Sequence, residues 1–217
     1  MKVKRINPAA LIVLCSFILS SCNSSGAVAN RPGDVPKEIA DGGFLSADPC
    51  GPPCFWTLVP GITTTEETMV MLDAMNIADE CSPYDNSEEA GTRGLICSPV
   101  VELSISFRLD EDIVNGVGFH PSQTVTVEEI IERYGEPDAI SVEYSGLPHD
   151  SYNTVMMLYY DDIYTRLLLP EQESDVFELR PSVEVQTVVY FDRATYAETR
   201  QRHSTDWNGY GKYSPHP

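Results

Sequence analysis

The sequence predicts an α+β fold, an antiparallel sheet of about six strands with two main helices packed on one face. Three observations point there. Thr126 and Glu129 make a capping box ahead of Val127, Ile130, Ile131 and Tyr134, an apolar face at i, i+3, i+4 and i+7. Val101, Leu103, Ile105, Phe107 and Leu109 alternate with Glu102, Ser104, Ser106 and Arg108, the period of a strand with one wet face. Thr64 and Glu67 repeat the capping box, so the two halves read as a possible tandem pseudo-repeat.

The chain opens with Lys2, Lys4 and Arg5, followed by an apolar run over 9–19. That run is too short for a permanent membrane helix but suits a signal-peptide core. It ends Leu19-Ser20-Ser21-Cys22, which resembles the lipobox of bacterial lipoproteins. The resemblance implies a signal peptide over 1–21, cleavage before Cys22, and a diacylglyceryl group with an added acyl chain such as palmitate on that residue. Several chains give stable attachment where one does not. The expected address is a cell membrane or cell surface, on the extracytoplasmic side. Residues 22–48, rich in Ser, Gly, Pro and Asn, read as a flexible tether, 49–204 as one domain, and 205–217 as an aromatic-containing tail. Aromatics in such a tail usually pack back onto the body.

The formal charge is -19; a chain beginning at Cys22 keeps 11 Lys+Arg against 33 Asp+Glu, or -22. Such a surface repels phosphate backbones, so no nucleic acid is expected as a partner. Four cysteines remain after Cys22: Cys50, Cys54, Cys81 and Cys97. An even number in an exported chain reads as two disulfides with three possible pairings, of which Cys50–Cys54 and Cys81–Cys97 is favoured. The Pro52-Pro53 bend keeps the first pair close, and the second would close a polar loop over 82–96. Cys-Gly-Pro-Pro-Cys is one residue longer than a thioredoxin motif and has no preceding strand, so a redox role is the lesser reading. A Cys₄ zinc site is less fitting still, because Cys81 and Cys97 lack close spacing.

A first helix is expected over 66–78, buried on a wide face through Met69, Val70, Leu72, Ala74, Met75 and Ile77. An acidic loop over 82–94 follows, then the alternating strand, a turn at Asp110-Glu111-Asp112 and a return strand over 114–119. There Asn115-Gly116 marks a bulge or an alternative turn. In the second helix Gly135 stands where a left-handed C-cap belongs, and Pro137 prevents the helix resuming. Strands are expected over 139–144, 154–160, 163–169 and 183–191, the middle two joined by Asp161-Asp162 as a hairpin. A short closing helix fits 194–203. Tyr144, Tyr159, Tyr160 and Tyr164 are the candidate binding face, set against the plain fact that Tyr favours strands.

No nucleophile stands beside a visible base, and no metal or cofactor motif occurs. His120, His149, His203 and His216 lack ligand spacing. Gly61-Ile62-Thr63 before the first helix and Gly135-Glu136-Pro137-Asp138 after the second resemble the small α+β units of SmpA/OmlA-type envelope lipoproteins and β-lactamase-inhibitor-like proteins. That resemblance implies non-catalytic binding to other proteins. The opening Pro-Cys…Trp…Pro-Gly-x-Thr is also similar to a family of bacterial lipoproteins of uncharacterised activity. The expected function is a lipid-anchored binding or envelope-assembly protein. Its partners would be the membrane, through Cys22, and an envelope or extracellular protein or a small ligand. The rivals are an enzyme built from scattered Asp, Glu, His and Tyr, and a thiol oxidoreductase using Cys50 and Cys54.

Overall fold

The computed structural model describes residues 41–86, 92–100, 103–145, 153–201 and 204–215. Cys22, the signal segment and most of the tether lie outside these residues, as do Val101, Glu102, His149, His203 and His216. In chain order the elements are α1 (Thr65–Ala74), β1 (Cys81–Asn86), β2 (Thr92–Val100), β3 (Leu103–Asp110), β4 (Ile113–Phe119), α2 (Val127–Tyr134) and β5 (Ala139–Ser145). Then come β6 (Asn153–Tyr160), β7 (Thr165–Leu168), β8 (Phe177–Leu179), β9 (Thr187–Phe191), α3 (Arg193–Arg200) and β10 (Gly211–Tyr213). The class is α+β, and every strand pair is antiparallel. The main sheet has eight strands where about six were expected, ordered β1-β2-β3-β4-β9-β7-β6-β5; β10 and β8 form a second, two-stranded sheet.

The extra strands come from a stretch that composition misread. Residues 82–94 look like an acidic loop, yet β1 and β2 form a hairpin there with Cys81 directly opposite Cys97. The disulfide between them therefore joins neighbouring strands. The second bridge is Cys50–Cys54, so the favoured pairing is the observed one. Pro83 within β1 is tolerable because β1 is an edge strand, where a missing N–H costs no ladder bond. Asn115 is the bulge residue: Arg108 pairs with Gly116 but Leu109 pairs with Val114.

Both helices start as their sequences dictate. Thr64 Oγ1 accepts from Glu67 N–H, and the Glu67 carboxylate accepts from Thr64 N–H; Thr126 and Glu129 do the same. α1 ends earlier than the apolar pattern suggests. Asn76 turns left-handed (φ 57°), its N–H bonds Asp73 C=O, and Ile77 N–H bonds Leu72 C=O. This is a Schellman stop with Asn at C′. The wide buried face expected for α1 is narrower too: Thr68 and Leu72 are buried while Val70 is 64% exposed. α2 keeps its stripe, with Val127 and Ile130 fully buried and Ile131 and Tyr134 packed at its margin. Gly135 has a positive φ of 86° but ψ −175°, so it is an extended glycine-only cap and not the left-handed one expected.

The halves share one plan, a helix followed by four strands of the main sheet. Thr65 N–H bonds Asp112 C=O and Val114 N–H bonds Thr63 C=O; in the second half Val127 N–H bonds Val183 C=O and Val185 N–H bonds Val125 C=O. Each N-cap is thus stitched to the lead-in of the last strand of its own half. Those last strands, β4 and β9, meet at the centre, where Val117 opposes Tyr190 and Phe119 opposes Val188.

The seam is filled from upstream. Residues 41–48, expected as the end of the tether, are folded onto the core. The Asp41 carboxylate accepts from the N–H groups of Gly43, Leu45 and Ser46, which fixes a turn that drives Phe44 to zero exposure. Phe44 meets Tyr134 and Tyr190, and Phe55 meets Phe119. The absence of periodicity made this segment look like linker; one anchored aromatic is enough to dock it. The tail also folds back, pairing Thr205 with Ile140 and β10 with β8. Trp207 and Tyr213 pack against the core.

Candidate recognition face

The helix side of the sheet is closed by α1, α2 and the Phe44–Phe55 segment, whose apolar residues form one cluster with the strands. Among the described residues, the other side is covered by a helix over the second half only. There Ala139, Met157, Tyr159, Phe191 and Tyr196 form a separate cluster, and α3 brings Tyr196 onto it. Tyr196 OH donates to the Asp161 carboxylate at 2.7 Å, and Arg200 pairs with the same oxygen at 3.2 Å. Burial, and then the bond to Asp161, raise the Tyr196 hydroxyl far above its ordinary range.

This arrangement corrects the tyrosine face. Tyr159 and Tyr160 are neighbours on one strand, so they point to opposite sides of the sheet. Tyr159 lies under α3 at 1% exposure and Tyr160 lies in the helix-side core at 3%. Tyr164 is half-buried against Tyr196, with a left-handed φ of 46° that extends the Asp161-Asp162 connection beyond two residues. Only Tyr144 of the four is exposed, at 53%. No shared aromatic platform results.

Among the described residues no helix covers the outer side of β1–β4, although Gly94, Gly116 and Gly118 on it are themselves buried. Its residues are the wet set of the alternating pattern: Ser106 and Arg108 on β3, with Ser82 and Tyr84 on β1, Gly94 and Ile96 on β2, and Gly116 and Gly118 on β4. Ile96 is 39% exposed. Tyr84 stands directly opposite Gly94, and a Cβ on Gly94 would lie 2.1 Å from the Phe107 carbonyl oxygen and 2.3 Å from the Tyr84 ring, so only glycine fits there. The glycines are the part of this face that a search for chemistry-bearing side chains passes over. The alternation Asn-Gly-Val-Gly-Phe over 115–119 was their visible signal.

Register gives the matching positions of the two halves. Ile105 pairs with Phe119 and Cys97, as Thr165 pairs with Tyr190 and Tyr160. Counting outward, Ile96 matches Tyr159, Gly94 matches Met157, Arg108 matches Leu168 and Gly118 matches Val189. The side that carries α3 is large and apolar; its counterpart is small and polar. That difference explains why the first half can stand in water without a covering helix.

Two arginines flank the centre of this side. Arg108 and Arg166 take part in neither ion pair found among the described residues, which are Arg180–Glu178 and Arg200–Asp161. The Arg166 guanidinium lies 5.3 Å from the Phe191 ring centre, and its Nε is shut off from water with no acceptor among the described residues. The nearest carboxylates in register are Asp110, at the β3–β4 turn, and Asp192, which already accepts from Ala194 N–H, Thr195 N–H and Thr195 Oγ1–H.

No family model, no curated protein and no solved structure matches this chain.

The remaining candidate groups are engaged in structure. His120 Nδ1 lies 2.8 Å from Gln186 C=O, at the end of β4. Among the described residues no three of His, Cys, Asp and Glu gather as a metal site, and no helix is long and apolar enough to cross a membrane. A crevice of about 290 Å³ runs beside β5, lined by Ile140, Val142, Thr205, Asn208, Lys212, Tyr213 and Ser214. No His, Asp or Glu lines it. The carboxyls held below their ordinary range are Glu67 and Glu129, by the N-cap N–H groups they accept from, and Glu178, by Arg180.

Proposed function

We propose that this protein is a non-catalytic, extracytoplasmic binding protein, held on a membrane through lipid on Cys22, that recognises an envelope or extracellular protein with the outer side of β1–β4. The observation that carries the reading is the half-covered sheet. Eight strands are sealed on the helix side, and α3 seals only the second half of the other side. The exposed half offers Tyr84 and Ile96 on the disulfide-joined β1–β2 hairpin and Arg108 on the neighbouring β3, residue types suited to a recognition surface. Its charge fixes the partner's character. In a chain with 33 acids and 14 bases, this half presents Arg108, which takes part in no ion pair among the described residues, so the fitting complement is an acidic protein surface.

Site-specific photocrosslinking in the producing cells tests this. A photoreactive residue at Ile96 should trap a discrete protein, while the same residue at Glu132, on the exposed side of α2, should not. Absence of an Ile96 adduct, or equal trapping from both positions, would remove the reading.

A further inference from the structure

The chain itself shows what seats on such a face. On the second half the occupant is a helix, α3, anchored by one aromatic, Tyr196, between Tyr159 and Phe191. The first half has the same strand order and register but, among the described residues, no helix on this side. Its surface differs in two ways that bear on the guest. Where the second half has Val189, the first half has Gly118, which is buried with Ser106 Oγ 2.8 Å from where a Cβ would stand, so the exposed apolar contact left to a guest is Ile96. Where the second half has Leu168, the first half has Arg108, so the guest must bring a negative charge.

Resting on the reading of this side as the recognition face, we infer that its occupant is an acidic amphipathic helix of the protein partner, lying on β2–β4 in the position α3 holds on the second half. A large apolar residue of that helix would pack on Ile96, and an Asp or Glu one turn away would meet Arg108. A helix suits the site better than an added strand. The edge of the sheet on this side is β1, whose Pro83 has no N–H to offer a further strand.

The experiment starts from the Ile96 crosslink. The adduct is digested and the trapped segment sequenced, and a synthetic peptide of that segment is titrated against the chain with its native N-terminal segment and Cys22 replaced by Ser. The expected result has three parts: an acidic segment with apolar residues spaced three and four apart, a gain of helical circular dichroism on binding, and at least a tenfold loss of affinity with Arg108→Glu. Reversing the peptide's acid to Lys should restore binding to Arg108→Glu. Arg108→Gln, checked by its urea melt, guards against a folding defect and should weaken binding at least threefold. An Ile96 crosslink to an extended or basic segment, or to lipid, overturns the helix. Unchanged affinity in both Arg108 variants overturns the acidic contact. A protein crosslink with either outcome leaves the recognition face standing, whereas no protein crosslink removes both.

Discussion

Phe44 does more for the fold than its place in a Gly- and Asp-rich stretch suggests. It is fully buried at the seam between the halves, held there by the turn around the Asp41 carboxylate and packed on Tyr134 and Tyr190. Removing a buried Phe ring usually costs about 3–5 kcal/mol, so Phe44→Ala should lower stability by that much in urea melts. A loss of only a few tenths would mean that the segment is not part of the core. Ile130 and Glu132 make the matching contrast on α2. Ile130 is fully buried and Glu132 exposed. Ile130→Ala should cost about 2–5 kcal/mol and Glu132→Ala only about 0.5 or less. Ile131, half-buried, should fall between them. The same residue-scale logic splits the tyrosines: adjacent positions on a strand cannot serve one face, and neither Tyr159 nor Tyr160 is available to a partner.

The two capped helices carry a shared pH response. The Glu67 and Glu129 carboxylates each accept the N-cap N–H and the N-cap hydroxyl, and the backbone bond is the larger cause of their lowered pKa. A carboxyl whose folded pKa is depressed stabilises fully above its unfolded value and loses that contribution as pH falls through the folded value. Both helix starts should therefore weaken below the ordinary Glu value of 4.5. Urea midpoints measured from about pH 6 to about pH 3 should fall less steeply for the Glu67→Gln, Glu129→Gln double variant than for the native chain. Identical slopes would show that the boxes do not form in solution. Removing the Thr126 hydroxyl by Thr126→Ala should cost about 0.5–2 kcal/mol at neutral pH, the usual worth of an N-cap. α3 belongs to the same scale. It is only eight residues long and holds its place through Tyr196 and the Asp161–Arg200 pair. Tyr196→Phe keeps the ring and removes the bond to Asp161, so it tests that anchor without opening a cavity.

At the scale of the whole molecule, two bridges tie the fold, and the lipid anchor on Cys22 is the proposal to be tested beside them. Cys50–Cys54 clips the segment that brings Phe55 into the core, and Cys81–Cys97 joins the edge strand to its neighbour. Thiol labelling without reductant, native or denatured, should find no free thiol among the four. Loss of one bridge should cost about 2–5 kcal/mol, toward the low end because this core is larger than that of a small secreted domain. Intact mass of the membrane-extracted protein should fit a chain starting at Cys22 with acyl groups, and Cys22→Ser should release or misprocess it. An unmodified N-terminus elsewhere would end the anchor proposal. Much of this could be read without coordinates. The α+β class, both capping boxes, the irregularity at Asn115-Gly116 (open between bulge and turn) and the favoured one of three cysteine pairings rest on interactions between residues near in sequence or on a strict period. So does the wet side carrying Ser106 and Arg108. Such signals survive in a single chain because the physics that produces them is local. The β1–β2 hairpin, the docking of Phe44, the split of the tyrosines and the coverage of only half the outer side were decided by tertiary contacts. Pro83 and the acids of 79–89 disguise an edge strand whose partner is set by the Cys81–Cys97 register, and a lone Phe has no period to announce it. Which sheet side α3 covers depends on where β9 ends relative to β6 and β7, and chain order alone does not contain that relation.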